Sequence, residues 1–114
     1  MALNDAALVV AANAIDAVIT HLQLHSAAPG AAGTTSPVGS RVASSATVDG
    51  DGDLTWTSVA FTGLTANQSV THVSYWSASS GGTYYGNSAL TGDATANSAG
   101  EYTVTTVTET SSAS

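Results

Sequence analysis

The chain lacks both cysteine and lysine, and Arg41 is its only arginine among 114 residues. Without cysteine it can form neither a disulfide framework nor a thiolate metal site. Eight carboxylates against one arginine give a formal net charge of −7. Nucleic acids and anionic membrane surfaces are bound through clusters of lysine and arginine, so we expect the chain to bind neither.

Long hydrophobic runs and internal repeats are also missing. No apolar run approaches the length that spans a bilayer, and no basic segment precedes residues 8–10 as in a signal peptide. We therefore expect synthesis in the cytoplasm without export. The absence of heptads, Gly-X-Y triplets and solenoid periods argues against a long fibre shaft.

Charged residues make up only 8% of the chain, whereas an ordinary globular domain carries about a quarter. Two readings are open: a surface largely covered by neighbouring proteins, or a stable β-domain with a neutral polar surface. The length fits one domain over 1–114 with a single core.

An N-terminal helix is predicted over 4–16. Asn4 is a suitable N-cap, and the Ala- and Leu-rich segment behind it has an acidic first turn. Apolar residues occur on almost every side of this helix, a pattern typical of a helix that is buried on several sides. In so small a chain, we expect another subunit to supply part of that burial.

β-structure is predicted over 18–109, with 110–114 as a tail. Six strand candidates span 18–25, 41–48, 54–61, 70–77, 83–88 and 101–109, and 27–38 is a loop broken by Pro29 and Pro37. In the last strand we expect Tyr102, Val104, Thr106 and Thr108 to share one face, opposite Val107. The pattern predicts a mainly β fold, a compact antiparallel sandwich or barrel, jelly-roll or immunoglobulin-like, with one N-terminal helix.

Residues 70–87, VTHVSYWSASSGGTYYGN, predict a β-hairpin because two β-rich segments flank the loop at 78–82. The stretch resembles the THVGYWSA-x-x-GGT(F/Y) segment of a family of small tailed-phage virion proteins. Residues 21–30, HLQLHSAAPG, resemble the (V/L)-x-LHTADPG turn of that family, and a Gly39-Ser40-Arg41 step follows in the same order. Ser26, Ala28 and Ser74 depart from the Thr, Asp and Gly of the family pattern.

The only carboxylate cluster is DGDGD at 49–53. It begins like the D-x-D-x-D calcium loop, but an EF-hand needs a glycine after Asp53 and a closing glutamate. Leu54 and Ala60 occupy those positions. Because Asp-Gly is favoured in hairpin turns, we interpret the segment as a polar turn and predict no metal site.

The three histidines are predicted to be structural. His21 and His25 would share a face on a helix and could chelate a metal, but a strand holds them too far apart. His72 has no partner that the sequence identifies.

No enzymatic signature is present. The chain has no Gly-x-Ser-x-Gly elbow and no Walker or dinucleotide glycine pattern. Asp93, Glu101 and Glu109 lack the aromatic flanks of a glycosidase site, apart from Tyr102. We expect no catalysis and no cofactor.

The aromatic residues fit two roles. They could form a sugar-stacking platform, although aromatics on alternating strands are more often core residues and cross-strand pairs. Tyr84 and Tyr85 should face opposite sides of a strand, which leaves at least one for a partner. The set is Trp56, Phe61, Tyr75, Trp76, Tyr84, Tyr85 and Tyr102.

The resemblance implies a virion structural protein whose partners are the major capsid protein or other virion proteins, with self-association on the particle. Our main interpretation is a decoration (minor capsid) protein that binds the outside of the shell and stabilises contacts of the major capsid protein. The alternative is a minor tail or fibre-associated protein, with receptor or glycan binding through loops 49–53 and 78–82. The predicted interface comprises the segment beyond Val107 and Leu3, Leu8, Val9, Val10, Ile15, Tyr84 and Tyr85.

Overall fold

The computed structural model describes residues 4–90 and 95–110. Within these ranges the chain forms one helix, α1 (Asp5–Val18), and seven strands. The strands are β1 (His21–His25), β2 (Pro37–Ala43), β3 (Thr47–Val48), β4 (Leu54–Phe61), β5 (His72–Trp76), β6 (Tyr84–Ala89) and β7 (Tyr102–Glu109).

The strands form two antiparallel sheets. One has four strands in the order β2-β1-β5-β6, and the other has three in the order β3-β4-β7. This sandwich-like arrangement with an N-terminal helix confirms the predicted fold class.

The core lies between the sheets, where two aromatic rings from opposite sheets stack. Trp56 of β4 and Tyr75 of β5 have ring centroids 4.7 Å apart and planes inclined by 20°. Around them lie aliphatic residues that alternate along β1, β4 and β5, among them Leu22, Leu24 and Val73, all fully buried. Burying each such side chain stabilises the fold by about 1.5–3 kcal/mol, so this layer accounts for the association of the two sheets.

The helix begins as predicted and ends later. The Asn4 Oδ1 accepts a hydrogen bond from the Ala7 N–H at 3.0 Å, which caps the first turn. The last turn extends to Val18, and the Ile19 N–H still donates to the Ile15 carbonyl at 3.0 Å. The strand predicted from residue 18 therefore begins only at His21.

The predicted strand over 41–48 is wrong, because this segment belongs to two strands in different sheets. β2 pairs with β1, whereas β3 pairs with β4. The chain crosses between the sheets at 44–46, where the Ala46 N–H donates to Asp16 Oδ1 at 2.8 Å. Pro37, predicted to lie in a loop, begins β2 instead. β2 is an edge strand, and there a missing N–H is tolerated.

The face predicted for β7 is also wrong. Val104 and Val107 are both buried, while Thr106 is exposed. The cause lies in the partner strand, where Ser58 adopts a left-handed conformation (φ 52°) and shifts the alternation by one residue. Val104 pairs with Val59, and Val107 pairs with Trp56, so both valines reach the core.

β5 and β6 form the predicted hairpin and contain one irregularity. Tyr75 pairs with Gly86, and Trp76 pairs with Tyr84, which leaves Tyr85 as an extra residue in β6. A bulge of this kind bends the strand and re-aims the side chain at the bulge. Among the described residues, no helix is both long and apolar enough to span a membrane.

Candidate functional site: a helix face and an adjacent groove

The solvent side of α1 exposes several large apolar side chains. Val10 is 71% exposed, and Ile15 and Val18 are each 41% exposed. A surface helix ordinarily turns charged or polar residues outward. Here the exposed α1 face, as we call it, consists of Ala6, Val10, Ala11, Ala14, Ile15, Ala17 and Val18, with the polar Asn13 at its edge. Asp5, in the first turn, is exposed outside this face.

The other side of α1 is seated on the sandwich by close backbone contact. Ala12 is fully buried, and Leu8 and Val9 are half-buried. Gly52, in the turn before β4, has φ +82°, and a Cβ there would lie 2.7 Å from the carbonyl carbon of Leu8. Together with the bond from the Ala46 N–H to Asp16 Oδ1, this contact fixes which side of the helix faces outward.

A groove of about 210 Å³ opens between the C-terminal half of α1 and the sandwich. Ile15 and Ile19 form its helical wall, and the buried rings of Trp56 and Tyr75 line its interior. Its other sides include Tyr85 of β6 and Glu109 of β7. The groove is continuous with the exposed α1 face, because Ile15 belongs to both.

Two polar groups inside the groove are bonded to each other. The Tyr75 hydroxyl donates a hydrogen bond to Glu109 Oε1 at 2.7 Å. Burial, followed by this bond to the carboxylate, raises the pKa of Tyr75 far above its ordinary value, so the phenol remains a donor.

One buried polar group behind the wall of the groove has no hydrogen-bond partner among the described residues. The Trp56 side chain is fully buried, and its indole N–H has no hydrogen-bond acceptor within residues 4–90 and 95–110. Buried donors are nearly always satisfied in folded proteins, so this N–H is an exception in the core of the sandwich.

Tyr84 and Tyr85 lie on opposite sides of β6. Tyr84 packs against Trp76 with ring centroids 5.3 Å apart, and its hydroxyl accepts a bond from Asn87 Nδ2 at 2.5 Å. Tyr85 is 45% exposed beside the groove. Of the two tyrosines, Tyr85 is therefore the one accessible to a partner.

Residues from the two segments that resemble the phage family, 21–30 and 70–87, meet on the face of the four-stranded sheet that is turned away from the core. His25 Nε2 lies 2.6 Å from Ser74 Oγ, and the Trp76 indole N–H donates to the same oxygen at 2.7 Å. His25 Nδ1 lies 2.8 Å from the Thr35 carbonyl. This geometry fits a neutral histidine that donates from Nδ1 and accepts at Nε2 from Ser74, and burial lowers the His25 pKa.

Arg41 completes this network. Its guanidinium carbon lies 3.7 Å from the centre of the Trp76 ring, and Nη1 donates to the carbonyls of Ala78 and Gly81 at 2.9 and 2.7 Å. We call His25, Arg41, Ser74 and Trp76 the outer cluster. Trp76 is only 6% exposed, so the sugar-stacking role considered for it is wrong.

The acidic segment 49–53 is the turn between β3 and β4, as predicted. Asp49 Oδ1 accepts hydrogen bonds from the N–H groups of Asp51 and Asp53, each at 2.9 Å. The three carboxylates approach within 4.8 Å of one another. These bonds shape the turn that presents Gly52 to the helix.

His21 and His72 are half-buried at the ends of their strands. Nδ1 of each lies 2.8 Å from the hydroxyl of the preceding threonine. His21 and His25 lie on β1, which confirms the strand that separates them.

The structure divides the predicted interface. Val10 and Ile15 lie on the exposed α1 face, whereas Leu8 and Val9 are turned partly toward the sandwich. Leu3, Asp93 and 111–114 lie outside the described residues. Sequence reasoning missed the groove, because Trp56, Tyr75 and Glu109 come from three strands far apart in the chain and carry no shared local signal.

Residues 4–111 match the family model described as Podophage GP4 fiber I protein gp80. The chain belongs to this family. This confirms the resemblance to phage virion structural proteins. No curated protein matches the chain, and no solved structure matches it.

Proposed function

We propose that the chain is a fibre or tail-associated component of a podophage virion, and that it attaches to another virion protein through the exposed α1 face. The description of its family names a fibre protein, which favours the tail alternative over the capsid-decoration interpretation. The proposed role is structural and involves no catalysis.

The exposed α1 face is the observation that carries this proposal. Charged side chains are depleted at the centres of protein interfaces, and none of the residues of this face is charged. Covering Val10, Ile15 and Val18 would remove apolar area from water at about 25 cal/mol per Å². The alanines between them let a partner approach the helix closely.

The charge of the chain indicates the kind of partner. Copies of a chain with a net charge of −7 repel one another, and the single arginine is engaged in the outer cluster. A partner surface that is apolar at its centre and basic at its rim would therefore associate faster than a second copy of the chain.

The copy number per purified particle, measured by quantitative mass spectrometry against the major capsid protein, tests the placement. A small number that matches the symmetry of the tail supports the fibre or tail role. A number commensurate with the icosahedral shell would contradict it and restore the decoration interpretation.

A further inference from the structure

We propose that the groove beside α1 receives an arginine side chain of the partner virion protein, and that the guanidinium of this arginine pairs with Glu109. The inference rests on the proposed attachment through the exposed α1 face, with which the groove is continuous at Ile15, and it adds the chemistry of one contact. Three features support it: the carboxylate in the groove, the lack of a basic side chain for it within the chain, and the walls of the groove.

Glu109 places a carboxylate in a groove with largely apolar walls. The residue is half-buried at the end of β7, and its Oε1 accepts a hydrogen bond from the Tyr75 hydroxyl at 2.7 Å. A carboxylate has room for several further donors. Because carboxylates that are withdrawn from water are ordinarily paired, Glu109 favours a positively charged donor over a neutral one.

The chain has no lysine or arginine available for this carboxylate. Lysine is absent, and the single arginine, Arg41, donates to the carbonyls of Ala78 and Gly81 on the outer face of the sheet. Among the described residues, the bond from Tyr75 is the only hydrogen bond to Glu109. A second copy of the chain has the same deficit, so the basic side chain must come from a different protein.

The walls of the groove suit both parts of an arginine side chain. Ile15 and Ile19 present aliphatic surface along which the methylene stem can lie. The ring of Tyr85, which is 45% exposed, can stack against the guanidinium. The volume of about 210 Å³ lies below the roughly 300 Å³ at which pockets accommodate drug-sized molecules, so the groove has room for one side chain.

Arginine fits these groups better than lysine or an apolar side chain. Its planar guanidinium offers several N–H donors to a carboxylate and is more weakly hydrated than an ammonium group, so it loses less on leaving water. A lysine would reach Glu109 but would gain less from the ring of Tyr85. An apolar side chain would withdraw Glu109 further from water without giving it a donor.

The isoleucines allow a site-specific test by NMR, since the chain has only Ile15 and Ile19 and both line the groove. The full chain, labelled in the isoleucine δ1 methyl groups, is titrated with N-acetyl-L-arginine amide. The control probe is N-acetyl-L-citrulline amide, which has the same stem and a neutral planar head. We expect the arginine probe to shift both methyl signals with a Kd on the order of 10 mM, and the citrulline probe to bind at least about threefold more weakly.

The variant Glu109→Gln separates the charge of this residue from its shape. The glutamine oxygen can still accept from the Tyr75 hydroxyl, so the fold should be retained, and urea denaturation checks this. We expect this variant to bind the arginine and citrulline probes equally. Glu101→Gln removes the same charge at an exposed position outside the groove and should bind the arginine probe like the wild-type chain.

Three results of the titration would overturn the inference. The first is no response of the isoleucine signals to the arginine probe. The second is equal affinity of the wild-type chain for both probes, which would identify an apolar side chain as the occupant. The third is a shift of the same signals when the concentration of the chain alone is raised, which would identify a second copy as the occupant.

Purified particles distinguish this inference from the attachment on which it rests. We expect Glu109→Gln to lower the copy number per particle by about tenfold and Glu101→Gln to leave it unchanged. A low copy number for Val10→Asp with a normal one for Glu109→Gln would overturn the arginine contact and leave attachment through the exposed α1 face standing. Normal copy numbers for both variants would overturn the attachment as well.

Discussion

The outer face of the four-stranded sheet and the region around α1 differ in how far their groups are satisfied within the chain. On the outer face, every polar group of His25, Ser74 and Trp76 has a partner within the chain, and Arg41 covers the indole ring. In the region around α1, apolar side chains of the helix are exposed, and the buried indole N–H of Trp56 on β4 has no partner among the described residues. The polar groups of the first region are therefore hydrogen-bonded within the chain. The second region has apolar surface that the chain itself does not cover.

This difference separates the residues that identify the chain from those that would carry its function. The motifs around 21–30 and 70–87 converge on the outer cluster, where they stabilise the hairpin and its loop. The exposed α1 face is built from alanine and valine and has no motif. Recognisable sequence patterns therefore indicate the fold of this protein, whereas the contacts with partners that we propose lie in a segment without a motif.

The largest effect on stability is expected from Trp76→Ala in the outer cluster. The substitution removes a buried ring that contacts Arg41 and Tyr84 and bonds Ser74. We expect the free energy of unfolding to fall by about 3–5 kcal/mol in urea denaturation. Tyr85→Ala, which truncates the exposed aromatic, should cost about 1 kcal/mol or less. Equal losses would show that the outer cluster and the region around α1 do not differ as described.

A smaller loss in the free energy of unfolding is expected where α1 contacts the turn at 49–53. Gly52→Ala introduces a Cβ against the Leu8 backbone at a positive φ and should cost about 2–4 kcal/mol. Gly63→Ala is the matched control, since its φ is +72° and a Cβ there meets nothing within 4 Å. The free energy of unfolding of this control should fall by only about 1–2 kcal/mol, the cost of placing an alanine at a positive φ. If both variants unfold at the same urea concentration, α1 does not pack against Gly52 as described.

The outer cluster should also make stability depend on pH. The pKa of His25 is lowered from 6.5 by burial, so the unfolded chain binds a proton more readily than the folded chain. The stability that neutral His25 contributes is complete above pH 6.5 and is lost as the pH falls through 6.5 toward the lowered pKa. Thermal melts should therefore show Tm falling over this window. His25→Gln should flatten the dependence, whereas a persistent slope in His25→Gln would rule out this origin.

The smallest effect on stability is expected on the exposed α1 face. Val10 is 71% exposed, so Val10→Asp should change the free energy of unfolding by no more than about 0.5 kcal/mol. Urea denaturation of the variant and the wild-type chain under the same conditions measures this change in the free energy of unfolding. A loss as large as that of Trp76→Ala would mean that the helix packs differently from the arrangement described.

The sequence predicted the elements whose signals are local. The Asn4 cap, the strand over 54–61 and the hairpin of 70–87 all depend on neighbouring residues, and all three are present. The helix was correctly expected to be apolar. Which of its sides would be exposed was not predictable, because that depends on the contact of Leu8 with Gly52.

The errors arose where distant residues decide the structure. The division of 41–48 follows from the crossing of the chain between two sheets, which strand propensity does not encode. The shift in β7 comes from the conformation of Ser58 in the partner strand. The groove joins residues of α1, β4, β5, β6 and β7, so no window of the sequence could show it.

The most direct test of attachment through α1 is the copy number of the Val10→Asp chain in purified particles, measured by quantitative mass spectrometry. Ser79→Asp is the control, since it adds the same charge on an exposed loop near the outer cluster. Because a carboxylate is costly to bury in an apolar interface, we expect Val10→Asp to reduce incorporation by at least about tenfold while Ser79→Asp incorporates normally. Normal incorporation of a folded Val10→Asp chain would contradict the proposed role of the exposed α1 face.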